Sequence, residues 1–377
     1  MDLTFSEAQE ILRKMARDFL STECPKSLVR ELQESEKGYS PDLWKKMAEL
    51  GWMGLIIPEE YEGMGYTFQD LTVLLEETGR NILPGPLVCT ITSTFPILDA
   101  GTEEQKKQFL PKIAAGELIL TTALLEAEGT FDASGIAAKA TPKGDDFVIN
   151  GTKLFAEMAH VADYLVCAAR TKDGASPEEG ITLFIVDAKA PAIHCEVMPT
   201  IAMDKLCEVQ FDNVSVPKKN MLGELDKGWP IVQKLLEKGA IAKCAESIGG
   251  MQAAVEMTVA YSKERVQYGR PIGAFQAIQH MMADMWSSMD TSRYLVYEAA
   301  WMESEGLPCT KEVSMAKAYV NEAYKYVSKW GIRLHGGIGT SRDHDIPLYY
   351  HLAKAADTAF GSTDFHRELV AQNIGLI

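Results

Sequence analysis

Long apolar runs are missing from this chain. No stretch approaches the roughly twenty residues that a membrane-spanning helix needs, and internal repeats and low-complexity tracts are absent. Paired cysteines are missing too. The seven cysteines (Cys24, Cys89, Cys167, Cys195, Cys207, Cys244, Cys309) are scattered, odd in number and never spaced C-x-x-C. They read as reduced thiols of a cytoplasmic protein, not as a disulfide framework or a zinc site. Positive charge is scarce: 37 Lys and Arg face 53 Asp and Glu, a net charge of −16. Such a field repels nucleic acid and anionic membranes, so an anionic ligand would need a local basic pocket. The N-terminus, MDLTFSEAQE, is acidic without an apolar centre and does not read as a signal peptide.

What is present is a chain of 377 residues, 46% hydrophobic and 24% charged, with room for two or three domains. The first block, residues 1–120, has helical spacing. Ser6 with Gln9 and Thr102 with Gln105 are capping boxes, and Ser40-Pro41 is an N-cap with proline at the first helical position. Residues 53–67, punctuated by Pro58, Gly63 and Gly65, read as a loop, and Phe68 to Arg80 as a helix. From 121 to about 225 the pattern alternates or runs in short apolar bursts, with Lys143-Gly144-Asp145 and Asn150-Gly151 as turns. That predicts a small antiparallel barrel or sandwich. Helices return over 226–377: about 230–268, 274–305, 310–334 and 348–360, with a short tail after Gly361-Ser362. The fold class is therefore α+β, with a helical domain, a β-domain and a four-helix bundle.

The stretch ERVQYGRPIGAFQAIQH, Glu264 to His280, joins two of the long helices. Pro271 lacks an amide donor and disfavours helix at Arg270, so the pair forms a hairpin. Its tip shows Arg265, Gln267, Tyr268 and Arg270. Taken alone, it reads first as a solvated charged turn; a guanidinium beside an amide and a ring also suits a phosphate with an attached base. Met281, Met282, Met285 and Met289 have helical spacing and read as core. His344 and His366 have no third partner at metal-like spacing, and no metal site is expected. His335, beside two glycines, reads either as a cofactor contact or as a helix-terminal histidine bonded to carbonyls.

In order along the chain, LGWMGLIIPEEYEGMGYT, DDFVINGTKLF, FDNVSVPKKNMLGE, ERVQYGRPIGAFQAIQH and RLHGGIG resemble motifs of the acyl-CoA dehydrogenase family. The resemblance covers essentially the whole chain. It implies FAD as cofactor, with Arg265 at the pyrophosphate, Gln267 nearby, Gln276 at the adenosine end, and the backbone around Arg333, Gly336 and Gly337 reaching the same FAD from a neighbouring subunit. Leu125, Phe155, Glu157 and Ser362 complete the implied flavin contacts. The implied reaction is α,β-desaturation of an acyl-CoA thioester, with electrons passed to an electron-transferring flavoprotein. HGGIG with the later His344-Asp345 resembles a bacterial branch acting on bulky, cyclic or dicarboxylic acyl groups. A homodimer, a homotetramer or a heterotetramer with a homologous chain is expected.

The chain departs from the family where the chemistry is done. The usual glutamate base is replaced by Phe360, and the family's alternative location falls at Gly239. The threonine near flavin N5 is replaced by Glu157. Glu237, Asp343, Asp345 and Asp357 are the candidate substitute bases, and each also reads as a solvated or capping carboxylate. Two further readings stay open: a non-catalytic subunit of a heteromeric dehydrogenase, and non-oxidative chemistry on a CoA thioester.

Overall fold

Side-chain caps set where the first helices begin. In the computed structural model, which describes residues 5–376, Ser6 opens α1 (Glu7–Glu23) in the expected reciprocal box with Gln9. α2 (Lys26–Glu34) follows, then α3 (Pro41–Glu49), capped by Ser40. Thr67 and Asp70 form a further box that opens α4 (Phe68–Asn81). α5 (Leu87–Ala100) is buried along most of its length and carries Pro96 inside it. Thr92 and Thr94 turn their hydroxyls onto the helix's own carbonyls, to Cys89 at 3.1 Å and Thr90 at 2.8 Å, and Thr90 donates to the Leu120 carbonyl at 3.3 Å, so burial leaves them satisfied. α6 (Glu103–Ala114) opens on the Thr102–Gln105 box.

The middle segment contributes β1 (Leu120–Ala123), β2 (Lys139–Lys143), β3 (Asp146–Glu157), β4 (Tyr164–Arg170), β5 (Ile181–Asp187), β6 (Ile193–Val197), β7 (Leu206–Pro217) and β8 (Met221–Leu222). They form one 8-stranded sheet in the order β6-β7-β3-β2-β4-β5-β8, with β1 on β4. Most pairings are antiparallel as expected; β1–β4 and the single β2–β4 pair are parallel. A parallel partner needs a crossover, which alternation within a strand does not signal.

α7 (Trp229–Glu264) ends four residues before the predicted stop. β9 (Val266–Gln267) and β10 (Arg270–Pro271) make a two-stranded ribbon there, turned by Tyr268 and Gly269, both at positive φ. Two consecutive left-handed residues are the tight hairpin turn that matches strand twist, and they cannot continue a helix. α8 (Gln276–Ser304), α9 (Thr310–His335), α10 (Ile346–Thr358) and α11 (Thr363–Asn373) follow. The last of these replaces the predicted tail, started by Ser362 accepting from the Phe365 amide. α9 packs against α8, α10 and α11.

The chain divides into two compact units, one of residues up to Arg30, Thr67–Leu83 and Ala240 onward, the other of Glu31–Tyr66 and Pro84–Gly239. Within the first, α4 and α7 cross at glycine. A Cβ on Gly79 would lie 1.9 Å from the Glu246 carbonyl oxygen, and one on Gly249 1.8 Å from that of Glu76. Among the described residues no helix is long and apolar enough to cross a membrane, and no cluster of His, Cys, Asp and Glu is arranged to hold a metal.

Candidate functional site

Arg265 follows the last turn of α7 with its backbone held on both sides. Its amide donates to the Tyr261 carbonyl and its carbonyl accepts from the Ile272 amide, each at 2.8 Å. The side chain is exposed, with no hydrogen bond or ion pair among the described residues. Gln267 is turned inward on the ribbon, its amide donating to the Val266 carbonyl at 2.7 Å. Gln276 is the first residue of α8, and Phe275 before it offers no side-chain cap. The Ile278 and Gln279 amides donate to the Phe275 carbonyl at 3.0 and 3.1 Å; among the described residues this leaves those of Gln276 and Ala277 to an external acceptor, and the helix dipole favours an anion there.

Tyr261 stacks on His335 with ring centroids 4.5 Å apart. That stack sets the end of α9 beside the end of α7 that carries Arg265. Within one protomer the two segments are therefore neighbours. Gly336 has φ 64, and a Cβ added at Gly336 or Gly337 would meet nothing within 4 Å, so this edge of backbone is open. His335 is buried, and its Nδ1 lies 2.7 Å from the Gly331 carbonyl, which can only accept. Nε2 is thus the bare acceptor, buried and without a hydrogen-bond partner. Burial holds the imidazole below its usual pKa. Arg333 lays its guanidinium over the Trp330 ring at 4.6 Å.

On the β-sheet, the register between β3 and β7 slips between Lys153 and Ala156. The bulge puts Phe155 at φ 57 with 48% of its surface exposed, which is how a bulge re-aims a side chain. Leu125 is pinned beside it, its carbonyl accepting from the Leu154 amide at 2.8 Å. Glu157 sits opposite Leu206, just past the bulge. Lys153 and Glu126, unforeseen as a pair in the sequence, lie together here. Lys153 is fully buried and donates to Glu126 at 2.7 Å and to the Leu124 carbonyl at 3.1 Å. Glu126 also accepts from the Ala137 and Ala138 amides, so one carboxylate fixes both ends of the loop between β1 and β2. No hydrophobic period announces a buried lysine.

The acids are not gathered. Phe360 stands at φ 54, followed by Gly361 at φ 108. Asp357, one turn earlier, accepts from Thr363 at 2.8 Å and from Lys325 at 3.0 Å. Burial pushes its carboxyl up, but those hydrogen bonds outweigh it and leave the pKa below the usual range. Asp345 is paired with Arg30 at 2.6 Å. Asp343 is exposed, its amide bonded to the Ser341 hydroxyl at 3.2 Å. Glu237 is half-buried on α7, beside Lys238, which is paired with Asp99 at 2.7 Å. Gly239 is buried. The Ser362 hydroxyl is engaged as the cap of α11.

The arrangement offers an exposed guanidinium, an uncapped helix start and an open glycine edge in one unit. Those are donors suited to a diphosphate.

Comparison with known proteins agrees. Residues 6–117, 121–214 and 226–375 match the N-terminal, middle and C-terminal domains of acyl-CoA dehydrogenase. A 3-(aryl)acrylate reductase of Clostridium sporogenes is 33% identical over 98% of this chain and 99% of its own. The caffeyl-CoA reductase-Etf complex subunit CarC of Acetobacterium woodii is 33% identical over 92% of each chain. The butyryl-CoA dehydrogenase structure from Megasphaera elsdenii superposes with a TM-score of 0.92 at 29% identity, covering 99% of this chain and 100% of that one. The chain belongs to the acyl-CoA dehydrogenase family of FAD-dependent oxidoreductases.

Proposed function

We propose that the protein interconverts an acyl-CoA thioester and its α,β-unsaturated counterpart, exchanging electrons with an electron-transferring flavoprotein. The observation that carries this reading is the Tyr261–His335 stack, which brings the end of α7 that leads into Arg265 to the end of α9 that leads into the open Gly336-Gly337 edge. Residues present fit FAD: Arg265 would hold the diphosphate, the amides of Gly336 and Gly337 would approach it, and Gln276 would meet the adenosine end. By the family resemblance, Leu125, Phe155 and Glu157 on the β-sheet are the residues expected at a flavin ring. When bound, FAD supplies the two-electron acceptor or donor for the β-hydrogen. The chain's own task is to move a proton at the α-carbon and to polarise the thioester carbonyl. Phe360 cannot move a proton. Asp345 and Asp357 are committed to Arg30 and to Thr363 with Lys325, so Glu237 and Asp343 are the first acids to test. The names of two relatives, an arylacrylate reductase and a caffeyl-CoA reductase complex subunit, support the saturating direction as well as desaturation.

Phe360 also favours a second reading, in which this chain is the half of a heteromeric dehydrogenase that holds flavin while a homologous chain brings the base. The test is an anaerobic flavin spectrum of the purified chain with a panel of acyl-CoA and enoyl-CoA esters. Bleaching by an acyl-CoA, or reoxidation of reduced flavin by an enoyl-CoA, supports the first reading. A yellow protein inert until a homologous chain is added supports the second. Turnover of a CoA ester without any flavin change shows non-oxidative chemistry, and a chain that binds no flavin overturns both redox readings.

A further inference from the structure

Two of the cysteines meet across the edge of the sheet. β6 is the outermost strand, and on β7 Val209 faces Cys195 while Cys207 faces Val197. Cys195 and Cys207 therefore share a face as diagonal neighbours. Cys195 is exposed, and Cys207 lies buried behind it. On its far side, the Cys207 sulfur is 3.6 Å from His160 Nδ1. His160 Nε2 is 3.2 Å from the Lys37 carbonyl. That carbonyl only accepts, so Nε2 carries a hydrogen, and a second proton on Nδ1 makes the ring an imidazolium facing the sulfur.

The electrostatics follow the geometry. Cys195 and His160 together hold the Cys207 thiol well below the usual thiol range, against burial. Cys207 and burial raise Cys195, and Cys207 in turn raises His160. Three buried cysteines elsewhere differ. Burial pushes Cys24 and Cys167 to about 11 and Cys244 to about 12, which makes them inert thiols.

We propose that Cys195, Cys207 and His160 form a dithiol modification site that closes to an internal disulfide by exchange with a low-molecular-weight disulfide. Cys195, at the surface, meets the small disulfide R–S–S–R. The Cys207 thiolate takes the Cys195 proton; the freed Cys195 sulfur breaks that S–S bond and forms Cys195–S–S–R, and the departing R–S⁻ takes the proton back from Cys207. The Cys207 thiolate then attacks the Cys195 sulfur, forms the internal S–S bond and expels the second R–S⁻, which takes the proton held on His160. Two protein thiols are oxidised by two electrons and one small disulfide is reduced to two thiols. Diagonal neighbours have Cα atoms about 7–8 Å apart, and a disulfide needs about 4.4–6.8 Å. The ends must close by about an ångström, which an edge strand with no neighbour on its outer side can yield. Closure ties both ends of the 198–206 connection beside Ala156, the cross-strand partner of Cys207.

The experiment is incubation of the purified full chain in a series of oxidised-to-reduced glutathione ratios, alkylation of the remaining thiols, and peptide mass spectrometry. The expected product is a Cys195–Cys207 cross-link, with Cys24, Cys167 and Cys244 alkylated only after unfolding. In Cys207→Ser the glutathione adduct on Cys195 should persist instead of resolving. In His160→Gln resolution of the adduct should slow by about tenfold or more as the thiolate fraction falls. Cys195→Ser, an exposed change that leaves the core intact, should remove both adduct and cross-link. A wild-type chain that stops at the Cys195 adduct, or that forms neither product, overturns the proposal.

Discussion

The carbonyl of Phe360 accepts a hydrogen bond from His366 Nε2 at 2.9 Å. The turn where the family resemblance places a base is thus held by a buried histidine, although the side chain at Phe360 is a hydrocarbon ring. On the other side of the imidazole, Nδ1 lies 3.4 Å from the Ser314 hydroxyl. The ring is therefore used as a neutral bridge between α9 and the turn before α11.

That neutrality predicts a pH dependence. Burial lowers the His366 pKa to about 4, against an ordinary value near 6.5 in the unfolded chain. Between those values the unfolded state binds the extra proton. The contribution is present above about pH 6.5 and is lost as pH falls towards 4, on the order of 3 kcal/mol in all. Denaturant unfolding at a series of pH values should show this slope, and His366→Gln, which keeps a donor, should flatten it.

Replacing Phe360 by glutamate should install a base on a backbone already shaped for one. At φ 54 the position is left-handed for either residue, so the exchange adds no backbone strain. If the chain lacks a base, flavin reduction by an acyl-CoA should accelerate by about 10²-fold or more, read by stopped-flow absorbance. An unchanged or slower rate would show that another group already moves the proton.

Arg265→Ala should weaken flavin retention about 10- to 100-fold, the range expected for a charge-assisted hydrogen bond. Arg265→Lys should fall between, since a point charge cannot reproduce the bidentate fork. Flavin lost on ultrafiltration measures both; equal retention in all three proteins would remove Arg265 from the cofactor site.

The Lys153–Glu126 pair should be costly to break singly. Glu126→Ala leaves a fully buried ammonium and two loop amides without their acceptor, a loss of about 3–5 kcal/mol. Combining Glu126→Gln with Lys153→Met should recover much of it. Urea midpoints of the two variants and the wild type check both statements, and a double variant as unstable as Glu126→Ala would contradict them.

Much of the scaffold was legible in particular residues. Ser6, Ser40 and Thr102 mark helix starts because a cap is a local device, written within three residues of where it acts. α5 was not assigned: it is apolar or threonine on nearly every face, with Pro96 inside, so no period shows. α11 was read as a tail because its starting signal, Ser362, is a single residue behind a glycine. Arg265, Gln276 and the glycines after His335 could be named from motifs, whereas their meeting in one protomer depends on the Tyr261–His335 stack. The cluster of Cys195, Cys207 and His160 left no trace at all. Its members are brought together by strand register, and spacing along the chain says nothing about which residues a register makes neighbours.

The crossing of α4 and α7 has a mechanical consequence. A Cβ at Gly79 or Gly249 would press on the Glu246 or Glu76 carbonyl, so the two helices can approach this closely only where both carry glycine. From Gly249 to Arg265 is sixteen residues, a lever of about 24 Å at the rise of a helix. A wedge as small as one methyl group at either glycine would tip that lever, and roughly 3° at the crossing carries its tip by about 1 Å. A side chain at either glycine would therefore be felt at the far end of α7, where the chain leads into Arg265.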